Sequence, residues 1–543
     1  MGTFSAPSLA PLRHPLFLAI WSAYLLSSIG TQVQSVGAAW TMTMLTDSPG
    51  KISLITTATA LPMLLFAVPS GAIGDMFDRR RVLIVAQIIM LTAASILALC
   101  TLAGWTTPLL LISCTFIIGC GFALNAPSWQ AMVRELVAPA EVPAAIAINS
   151  VAFNVGRIGG PAIGGIIVGT LGAGTAFVVN SISYVALVVV LLRWRRTAAP
   201  QLLPREPFIS AIGSGLRYAR HSHVVRRILW RDVIFGISSA GVLALLPLIS
   251  LQRMGGGPFG YGLLLSALGI GSIVGGLAAT PIRIAIGAPA MVRLAMAVSV
   301  LATALLAFAQ QPWICWIGVF GAGWSTIVLL STFSAAIQLS IPNWVMGRVL
   351  SLHQMALFGG LAAGSVLWGQ VAARLSVELA IAGSALVGLL LLLLSLRLPI
   401  SLTPSAQLDS VPPIERDPGL SNDEHELPLT VAIHYRIRTE DVPRFLAAME
   451  QSRNLRRRDG AEQWNLLHAS DDPSLWIEQF RNGSWASHVR YRSRRTREYE
   501  QLHADLLNMH QGPDRPRAHY FTQPRILRTE RPVHADTFGE LTL

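Results

Sequence analysis

The stretch 71-GAIGDMFDRRR-81 places two aspartates and three arginines between two long apolar segments. Residues 52–70 before it and 82–100 after it contain no charged side chain. An uncharged run of about 20 residues is long enough to cross the hydrocarbon core of a bilayer as a helix. The sequence therefore predicts two membrane-spanning helices joined by a short charged turn at the membrane surface.

The same alternation of apolar run and short break continues over most of the 543 residues. The chain is 52% hydrophobic and only 13% charged, whereas soluble proteins average roughly 25% charged residues. The first run is too long for a signal peptide, so we expect it to be retained. We predict an all-α membrane protein with twelve transmembrane helices, at residues 16–41, 52–74, 82–103, 107–133, 143–169, 173–192, 228–251, 258–281, 294–311, 313–338, 349–372 and 379–396.

Positive charge is concentrated in alternate breaks between these predicted helices. The breaks on one side hold only Lys51, Arg253 and Arg374. The breaks on the other side hold Arg79, Arg80, Arg81, Arg134, Arg193, Arg195, Arg196, Arg205, Arg217, Arg220, Arg226, Arg227, Arg283, Arg293 and Arg348. Because arginine and lysine accumulate on the cytoplasmic side, this pattern places both termini in the cytoplasm. It also explains much of the net charge of +12 without a nucleic-acid partner.

The membrane part consists of two similar halves. A shift of 204 positions, from 71 to 275, pairs Gly71 with Gly275, Arg79 with Arg283, Gly156 with Gly360, Gly160 with Gly364, and Gly165 with Gly369. The second copy has Ala279 where the first has Asp75. Internal repeats of this kind are typical of secondary transporters, whose substrate site lies between the halves near the midplane.

The composition divides the chain into six segments. They are a first six-helix half, a cytoplasmic loop, a second six-helix half, a flexible linker, a soluble α+β domain and a tail, at residues 1–196, 197–227, 228–398, 399–428, 429–525 and 526–543. Alternating and periodic patterns in the soluble domain predict strands at 429–437, 462–469, 474–481 and 517–523, a helix at 440–458, and one or two helices within 484–510.

The charged turn resembles the signature loop of the major facilitator superfamily, Gly-x-x-x-Asp-Arg/Lys-x-Gly-Arg-Arg/Lys-Arg/Lys. Matching residues are Gly71, Asp75, Arg79, Arg80 and Arg81, whereas Met76 and Asp78 depart from the pattern. Three further segments resemble the enterobactin-exporter-like branch known as transmembrane secretion effectors: 27-SSIGTQVQSVGAAW-40, 124-LNAPSWQAMVRELV-137 and 147-AINSVAFNVGRIGGPAIGG-165.

This resemblance implies a function as well as a fold. It implies a secondary transporter of the bacterial inner membrane that exports a small molecule by alternating access, with a proton as the coupling ion and no cofactor. An importer on the same fold stays open as an alternative. A membrane-anchored enzyme or sensor that acts through the soluble domain is the second alternative.

The resemblance also implies a cytoplasmic gate at the charged turn, made by Gly71, Asp75, Asp78, Arg79, Arg80, Arg81 and Glu135. Asp75 is expected at the N-terminus of the helix near 343–347, where the helix dipole stabilises a carboxylate. Arg79 is expected to pair with Glu135 and so to help hold the two halves together. A topology anchor alone is the bland alternative.

A second motif contains Gly156, Gly160, Pro161, Gly164 and Gly165. Glycines four residues apart form a stripe on one helix face and allow another helix to approach closely. The resemblance implies the antiporter motif, which occurs mainly in exporters. Helix packing without a transport role is the alternative.

Several polar side chains are candidates for a substrate cavity. Ser150, Asn154 and Arg157 share one helix face, and Arg157 lies roughly 21 Å along its helix, where a charge needs a cavity or a partner. The remaining candidates are Gln32, Gln34, Asn125, His353 and Gln354. A structural ion pair is the alternative for Arg157. Asp232 is expected to pair with the adjacent Arg231 rather than to carry protons.

The soluble domain resembles the ferredoxin-like fold of antibiotic-biosynthesis monooxygenases, which implies dimerisation through the sheet. A pocket is one interpretation of Trp464, Asn465, Trp485 and His488, but we expect core or interface packing, because no cofactor motif accompanies them. The four cysteines have no spacing typical of a metal site or disulfide framework. The only lysine, Lys51, is not part of a Walker A loop, which excludes ATP hydrolysis through that motif.

Overall fold

The computed structural model describes residues 7–194, 208–255, 257–308, 310–342, 344–397, 427–493 and 497–522. The chain divides into two compact units, Met1–Ser405 and Ala406–Leu543.

The described residues of the first unit form twelve helices that are long and apolar enough to cross a membrane. The first six are α1 (Pro15–Leu45), α2 (Pro49–Met76), α3 (Arg79–Leu102), α4 (Pro108–Glu135), α5 (Val142–Leu171) and α6 (Ala173–Arg193). After a short helix α7 (Phe208–His221), the second six are α8 (His223–Met254), α9 (Gly257–Ile286), α10 (Ala288–Phe308), α11 (Pro312–Ser340), α12 (Met346–Arg374) and α13 (Val377–Arg397). The predicted twelve-helix membrane fold is therefore confirmed.

Local chemistry explains where many of these helices begin and end. Pro15, Pro49, Pro108 and Pro312 stand at the first helical position, where proline loses no hydrogen bond and its ring already has a helical φ. Gly172 separates α5 from α6 with a φ of 82°. Only glycine adopts this backbone conformation without a steric cost.

The segment 197–227 differs from its prediction as a loop. Its described part contains α7 and the first residues of α8. Phe208, Ile212 and Leu216 recur every four residues, which is the spacing of an amphipathic helix. The helix is too short to span a membrane and its arginines hide the pattern, so a search for apolar runs does not detect it.

Helix packing follows the internal repeat. Inside the first half α5 packs on α1, and inside the second half α12 packs on α8. Between the halves α5 packs on α9, and α12 packs on α2. The 204-residue shift relates α1 to α8, α2 to α9 and α5 to α12. Each half therefore uses equivalent helices for its internal contact and for its contact with the other half.

The two ends of the helix bundle differ in their cores. We call the end that carries Arg79–Arg81 and Arg193 the arginine-rich end, and the end that carries Leu45 and Pro49 the opposite end. At the opposite end one buried apolar cluster joins both halves, and includes Val36, Trp40, Leu245 and Ile249. At the arginine-rich end each half has its own buried cluster, one around Phe17, Leu83 and Trp129 and one around Ile228 and Phe333, and Val68 of α2 packs against the second.

The second unit is a four-stranded antiparallel sheet with helices. Its elements are β1 (Leu429–Arg436), α14 (Val442–Asp459), β2 (Glu462–His468), β3 (Leu475–Asn482), α15 (Trp485–Ser493), α16 (Arg497–Met509) and β4 (Ala518–Thr522), with strand order β2-β3-β1-β4. Alternate residues of β1 are buried, as expected for a strand with one covered face. The sheet agrees with the predicted α+β fold.

Candidate functional site

The charged turn between α2 and α3 is held by three kinds of contact. Asp78 caps α3, since its Oδ1 accepts a hydrogen bond from the backbone N–H of Arg80 at 2.8 Å. Arg79 Nη1 lies 2.5 Å from Glu135 Oε1 at the end of α4. The guanidinium of Arg80 donates to the carbonyl oxygens of Leu191 and Leu192 at 2.9 and 2.7 Å, which satisfies the C-terminus of α6.

These contacts correct the expected role of the Arg79–Glu135 pair. The pair forms as expected, but α3 and α4 both belong to the first half, so it does not join the two halves. Arg81 is exposed. Asp75 lies in the last turn of α2, and its side chain and residue 343 lie outside the described residues. One turn before Asp75, Gly71 faces the other half, and a Cβ at Gly71 would lie 4.0 Å from Ser351 Oγ of α12.

The glycine stripe of α5 faces α1. A Cβ at Gly160 would lie 2.6 Å from Cβ of Gln32, and one at Gly164 would lie 3.0 Å from Cα of Val33. Gly156 is packed against α1 in the same way. Since a real Cβ rarely approaches another heavy atom within 3.0 Å, these positions need glycine to keep the two helices at this distance.

The last part of the same motif lies between the halves. A Cβ at Gly165 would lie 2.8 Å from the carbonyl oxygen of Pro258 on α9. A Cβ at Gly262 would lie 3.1 Å from Cα of Gly165, and would also meet the carbonyl oxygen of Pro161. We call this contact of α5 and α9, around Gly165 and Gly262, the inter-half seam. Pro161 and Gly165 therefore build the seam, whereas the other glycines build the first half.

Arg157 lies two turns along α5 from the seam and crosses between the halves. Its Nη2 donates to Ser272 Oγ of α9 at 3.0 Å. Ser266 Oγ of α9 donates to the carbonyl oxygen of Ile158 at 2.8 Å. Within the part of the chain that the structure describes, Arg157 has no carboxylate partner. Arg157 therefore contacts a neutral hydroxyl group and does not form the structural ion pair that was the alternative interpretation of this residue.

The polar neighbours of Arg157 are only partly used. Ser150 is exposed and Asn154 is half-buried. Ser150 Oγ donates to the carbonyl oxygen of Ile146 and Asn154 Nδ2 to that of Ser150, both at 2.9 Å within α5. Gln32 is half-buried and Gln354 is exposed. These four candidates keep polar atoms available to a ligand.

Three other cavity candidates are buried inside their own half, which corrects their assignment. Gln34 Oε1 accepts a hydrogen bond from Asn180 Nδ2 of α6. Asn125 Oδ1 accepts one from Gln87 Nε2 of α3 at 3.1 Å. His353 contacts α8. The reason is physical: helical spacing predicts the face of a side chain but not which neighbouring helix covers that face.

The sequence did not predict the partner of His353, which is Asp232. His353 Nδ1 lies 2.7 Å from Asp232 Oδ2, and the two side chains are 5% and 0% exposed. Asp232 therefore pairs across the helix contact of α8 and α12 and not with Arg231 as expected. Adjacent residues point about 100° apart on a helix, which follows from 3.6 residues per turn, and this geometry argued against the Arg231 pairing.

The second unit holds a separate buried ion pair. Arg456 Nε and Nη2 contact Glu478 Oε1 and Oε2 at 2.5 and 2.7 Å, and the side chains are 1% and 0% exposed. Trp464 Nε1 donates to Glu478 Oε1 at 2.8 Å. Burial lowers the pKa of Arg456, but the Glu478 carboxylate raises it, and the net result is a pKa well above its ordinary value. The pair is a permanently charged structural element.

The aromatic residues expected to pack in this unit do so. Trp464 and Trp485 pack against its core. Trp485 and His488 are stacked with ring centroids 5.4 Å apart, and His488 Nδ1 lies 3.0 Å from Asn482 Nδ2. Asn465 is exposed. Among the described residues no group of three or more His, Cys, Asp or Glu side chains is arranged to hold a metal ion.

Comparison with known proteins identifies the family. The profile of the family described as "Transmembrane secretion effector" matches residues 6–529, which is nearly the whole chain and includes the second unit. The chain belongs to this family. The match confirms the resemblance that the charged turn and the later motifs indicated.

Characterised relatives are transporters. The chain is 26% identical over 392 residues to the enterobactin exporter EntS of Salmonella typhi, covering 70% of this chain and 92% of the exporter. It is 24% identical over 423 residues to the multidrug efflux pump Tap of Mycobacterium bovis strain BCG, covering 73% of this chain and 97% of the pump.

Solved structures show the same fold. A variant of the nucleoside transporter NupG superimposes with a TM-score of 0.61 at 11% identity, over 70% of this chain and 99% of that one. A bacterial homologue of the lysosomal transporter Spinster, inward-facing and unoccupied, gives 0.53 at 15% identity, over 72% and 96%. The first unit therefore has the fold of major facilitator transporters.

Proposed function

We propose that this chain is a proton-coupled exporter of a small anionic or oxygen-rich molecule. The observation that carries the proposal is Arg157, a cation between the two halves whose described partner is a neutral serine hydroxyl. A charge inside a membrane domain is costly unless it meets water, a partner or a substrate. An anionic ligand in the cavity would supply the missing opposite charge.

The substrate class follows from the chemistry of Arg157 and from the relatives. A planar guanidinium binds carboxylates and similar oxygen anions through two parallel hydrogen bonds. Ser150, Asn154 and Gln32 add hydroxyl and amide groups suited to an oxygen-rich ligand. The names of the relatives favour a siderophore-like compound first and a drug-like compound second.

Alternating access requires that the inter-half seam opens. The shared core at the opposite end closes that end in the present state. Backbone contacts at Gly165 and Gly262 separate when the halves rock, and the arginine-rich end closes around the existing α2–α12 contact near Gly71. The arginine-rich turn, with Asp75 as the candidate gate carboxylate, belongs to this closure.

The orientation of the chain follows from its charges. The arginine-rich end is assigned to the cytoplasm by the positive-inside bias, in a bacterial inner membrane, with both termini cytoplasmic. The closed opposite end then faces the periplasm, so the present state is closed to the outside. Export from this state starts with binding from the cytoplasm.

The second unit is assigned an accessory role in which two copies associate through their sheets. The strand faces opposite the helices carry exposed apolar side chains, among them Phe521 at 55% and Leu467 at 48% exposure. A four-stranded sheet whose described residues leave apolar side chains exposed on one face favours pairing with a like surface. The partner is a second copy of this chain.

The test is a comparison of metabolites inside and outside bacterial cells. Four strains carry the intact chain, Arg157→Gln, a deletion of residues 425–543, or an empty vector. We expect anionic compounds to be depleted inside and enriched outside only with the intact chain and the deletion variant. Enrichment inside the cells would indicate an importer. Loss of the effect on deletion, but not with Arg157→Gln, would indicate an enzyme or sensor.

A further inference from the structure

One buried ionisable pair of the membrane unit takes no part in the substrate site. His353 of α12 and Asp232 of α8 join these helices through the 2.7 Å contact of Nδ1 and Oδ2. The other carboxylate oxygen, Asp232 Oδ1, is also buried and has no hydrogen-bond partner within the described residues. A buried carboxylate with half of its acceptors unused is costly, so it requires an explanation other than stability.

The internal repeat shows that the helix contact does not need these ionisable groups. Under the shift of 204 positions, Asp232 corresponds to Ser28 of α1 and His353 to Asn149 of α5. The helices α1 and α5 pack on each other as α8 and α12 do, with neutral residues at the equivalent positions. The ionisable pair is therefore an addition in the second half, beyond what packing requires.

His353 lies on α12, which contacts α8 within its own half and α2 of the other half. On one face α12 approaches the backbone of α8 at Gly360, beside the carbonyl oxygen of Val233. On another face it meets the first half, where a Cβ at Gly359 would lie 2.8 Å from Leu64 Cδ1 of α2. A change in the separation of α8 and α12 therefore moves a contact between the halves.

The other ionisable side chains at this end of the surrounding helices are cationic or histidine. Among the described side chains of α2, α7, α8, α9, α11, α12 and α13, Asp232 is the one carboxylate at the arginine-rich end. Asp75 of α2 also lies at this end, but its side chain is not among those that the structure describes. The remaining cationic and histidine groups are Arg217, Arg220, His221, His223, Arg226, Arg227, Arg231, His353, Arg283, Arg348 and Arg397.

We propose that Asp232 and His353 form the proton-binding site of this transporter. The loaded pair holds one exchangeable proton and has no net charge, either as aspartic acid with neutral imidazole or as aspartate with imidazolium. Release of that proton to water leaves neutral imidazole and a net charge of −1. Because a buried net charge is costly, the unloaded pair favours a state in which α8 and α12 admit water.

Proton occupancy in this arrangement selects between two packings of α12. The loaded pair stabilises the closed α8–α12 contact that the structure shows, and the unloaded pair destabilises it. Since α12 also contacts α2, this choice biases the arrangement of the halves, as a local charge change does in other two-state switches. This inference rests on the proposed function, because it assigns the coupling ion of that exporter to a site.

The first test counts protons during ligand binding. Calorimetric titration of the purified full-length protein with enterobactin, in buffers of different ionisation enthalpy, gives the number of protons released. We expect about one proton per bound molecule for the unchanged protein, by linkage of the two equilibria, and clearly fewer for Asp232→Asn or His353→Gln, with affinity kept within a few-fold. The matched control is Glu141→Gln, which alters a solvent-accessible His14–Glu141 pair with a contact of 2.8 Å.

The second test needs no substrate. In the proposed site the folded protein holds on the pair a proton that the unfolded chain releases to water as the pH rises. Stability from the pair is therefore present at low pH and is lost as the pH rises, so the melting temperature should fall from about pH 6 to 8. Asp232→Asn and His353→Gln should flatten this fall, and Glu141→Gln should keep it.

The two tests separate failure of the inference from failure of the exporter assignment. If enterobactin does not bind, the siderophore assignment fails and the melting profile still decides the proton site. Parallel melting profiles for the unchanged protein and both pair variants would overturn the proposal, as would unchanged proton release in either variant. If Asp232→Asn does not fold, His353→Gln provides the same comparison.

Discussion

Arg157 is the residue in which packing and function meet. Its guanidinium reaches from α5 of one half to Ser272 of α9 in the other. We predict that Arg157→Gln weakens binding of an anionic probe such as enterobactin by roughly tenfold or more, since a hydrogen bond to a charged group contributes about 1.5–3 kcal/mol. Arg157→Lys should recover only part of the affinity, because lysine lacks the planar fork. Binding titration of purified variants measures both effects.

The stability of the same variants separates a ligand-binding cation from a structural one. Loss of a neutral hydroxyl partner strands no buried charge, so the melting temperature of Arg157→Gln should stay close to that of the unchanged protein. Ser272→Ala is the matched control, because it removes the same hydrogen bond and keeps the cation. A large loss of stability in Arg157→Gln with unchanged affinity would contradict the binding role.

For the Arg456–Glu478 pair of the second unit we predict a large loss of stability, in contrast to Arg157→Gln. Glu478→Gln leaves a buried guanidinium without its counter-charge, which should cost about 3–5 kcal/mol. Glu440→Gln, which breaks an exposed ion pair with Arg438, should cost about 0–1 kcal/mol. Limited proteolysis of the full-length chain under increasing denaturant compares the two. Equal resistance of the second unit in both variants would show that the buried pair is not structural.

Residue types were more predictable than residue partners. The sequence indicated that Arg157 lies deep in a span and that Glu135 is within reach of Arg79, and both placements agree with the structure. It did not show that Gln34 and Asn125 are used inside the first half, or that Asp232 meets His353. Those contacts depend on helix rotation and on which helices are neighbours, and neither is encoded in local spacing.

At the scale of elements, the glycine contacts of α5 and α9 decide how closely the halves approach. We predict that Gly262→Ala disturbs this seam, because its Cβ meets the backbone of Pro161 and Gly165. Overpacking of this kind costs about 1–3 kcal/mol. It should lower transport more than expression, because the present state is the one that needs the close contact. The measurement is export rate per molecule in the membrane.

A matched glycine on α5 provides the control. A Cβ at Gly159 would have no heavy atom within 4 Å, and its backbone is helical. Gly159→Ala should therefore leave export unchanged or slightly improve stability, because alanine favours the helix over glycine. Equal export by Gly159→Ala and Gly262→Ala would refute the importance of the seam.

The elements themselves were largely predictable. Each of the twelve predicted apolar runs corresponds to a helix among the described residues. The prediction works because a spanning helix must be long and largely uncharged. The strands of the second unit start and end within one residue of their predicted bounds. The exception is α7, whose described residues form a short amphipathic helix. Its polarity resembles that of a loop, and only its four-residue spacing distinguishes it.

At the scale of the whole molecule, the two halves are similar in packing and different in chemistry. In each half one helix packs both within the half and against the other half: α5 contacts α1 and α9, and α12 contacts α8 and α2. The first half carries the arginine of the candidate substrate site, and the second carries the Asp232–His353 pair. An exchanger needs both a substrate site and an ion site, and the repeat allows one fold to supply them separately.

The central claim is that the chain exports its substrate from the cytoplasmic side at the expense of a proton gradient. Inside-out membrane vesicles test this claim directly, because export appears in them as uptake. We predict that energised vesicles with the chain accumulate labelled enterobactin, and that an uncoupler or Arg157→Gln abolishes the accumulation. Uptake by right-side-out vesicles instead, or uptake equal to that of vesicles without the chain, would contradict the account.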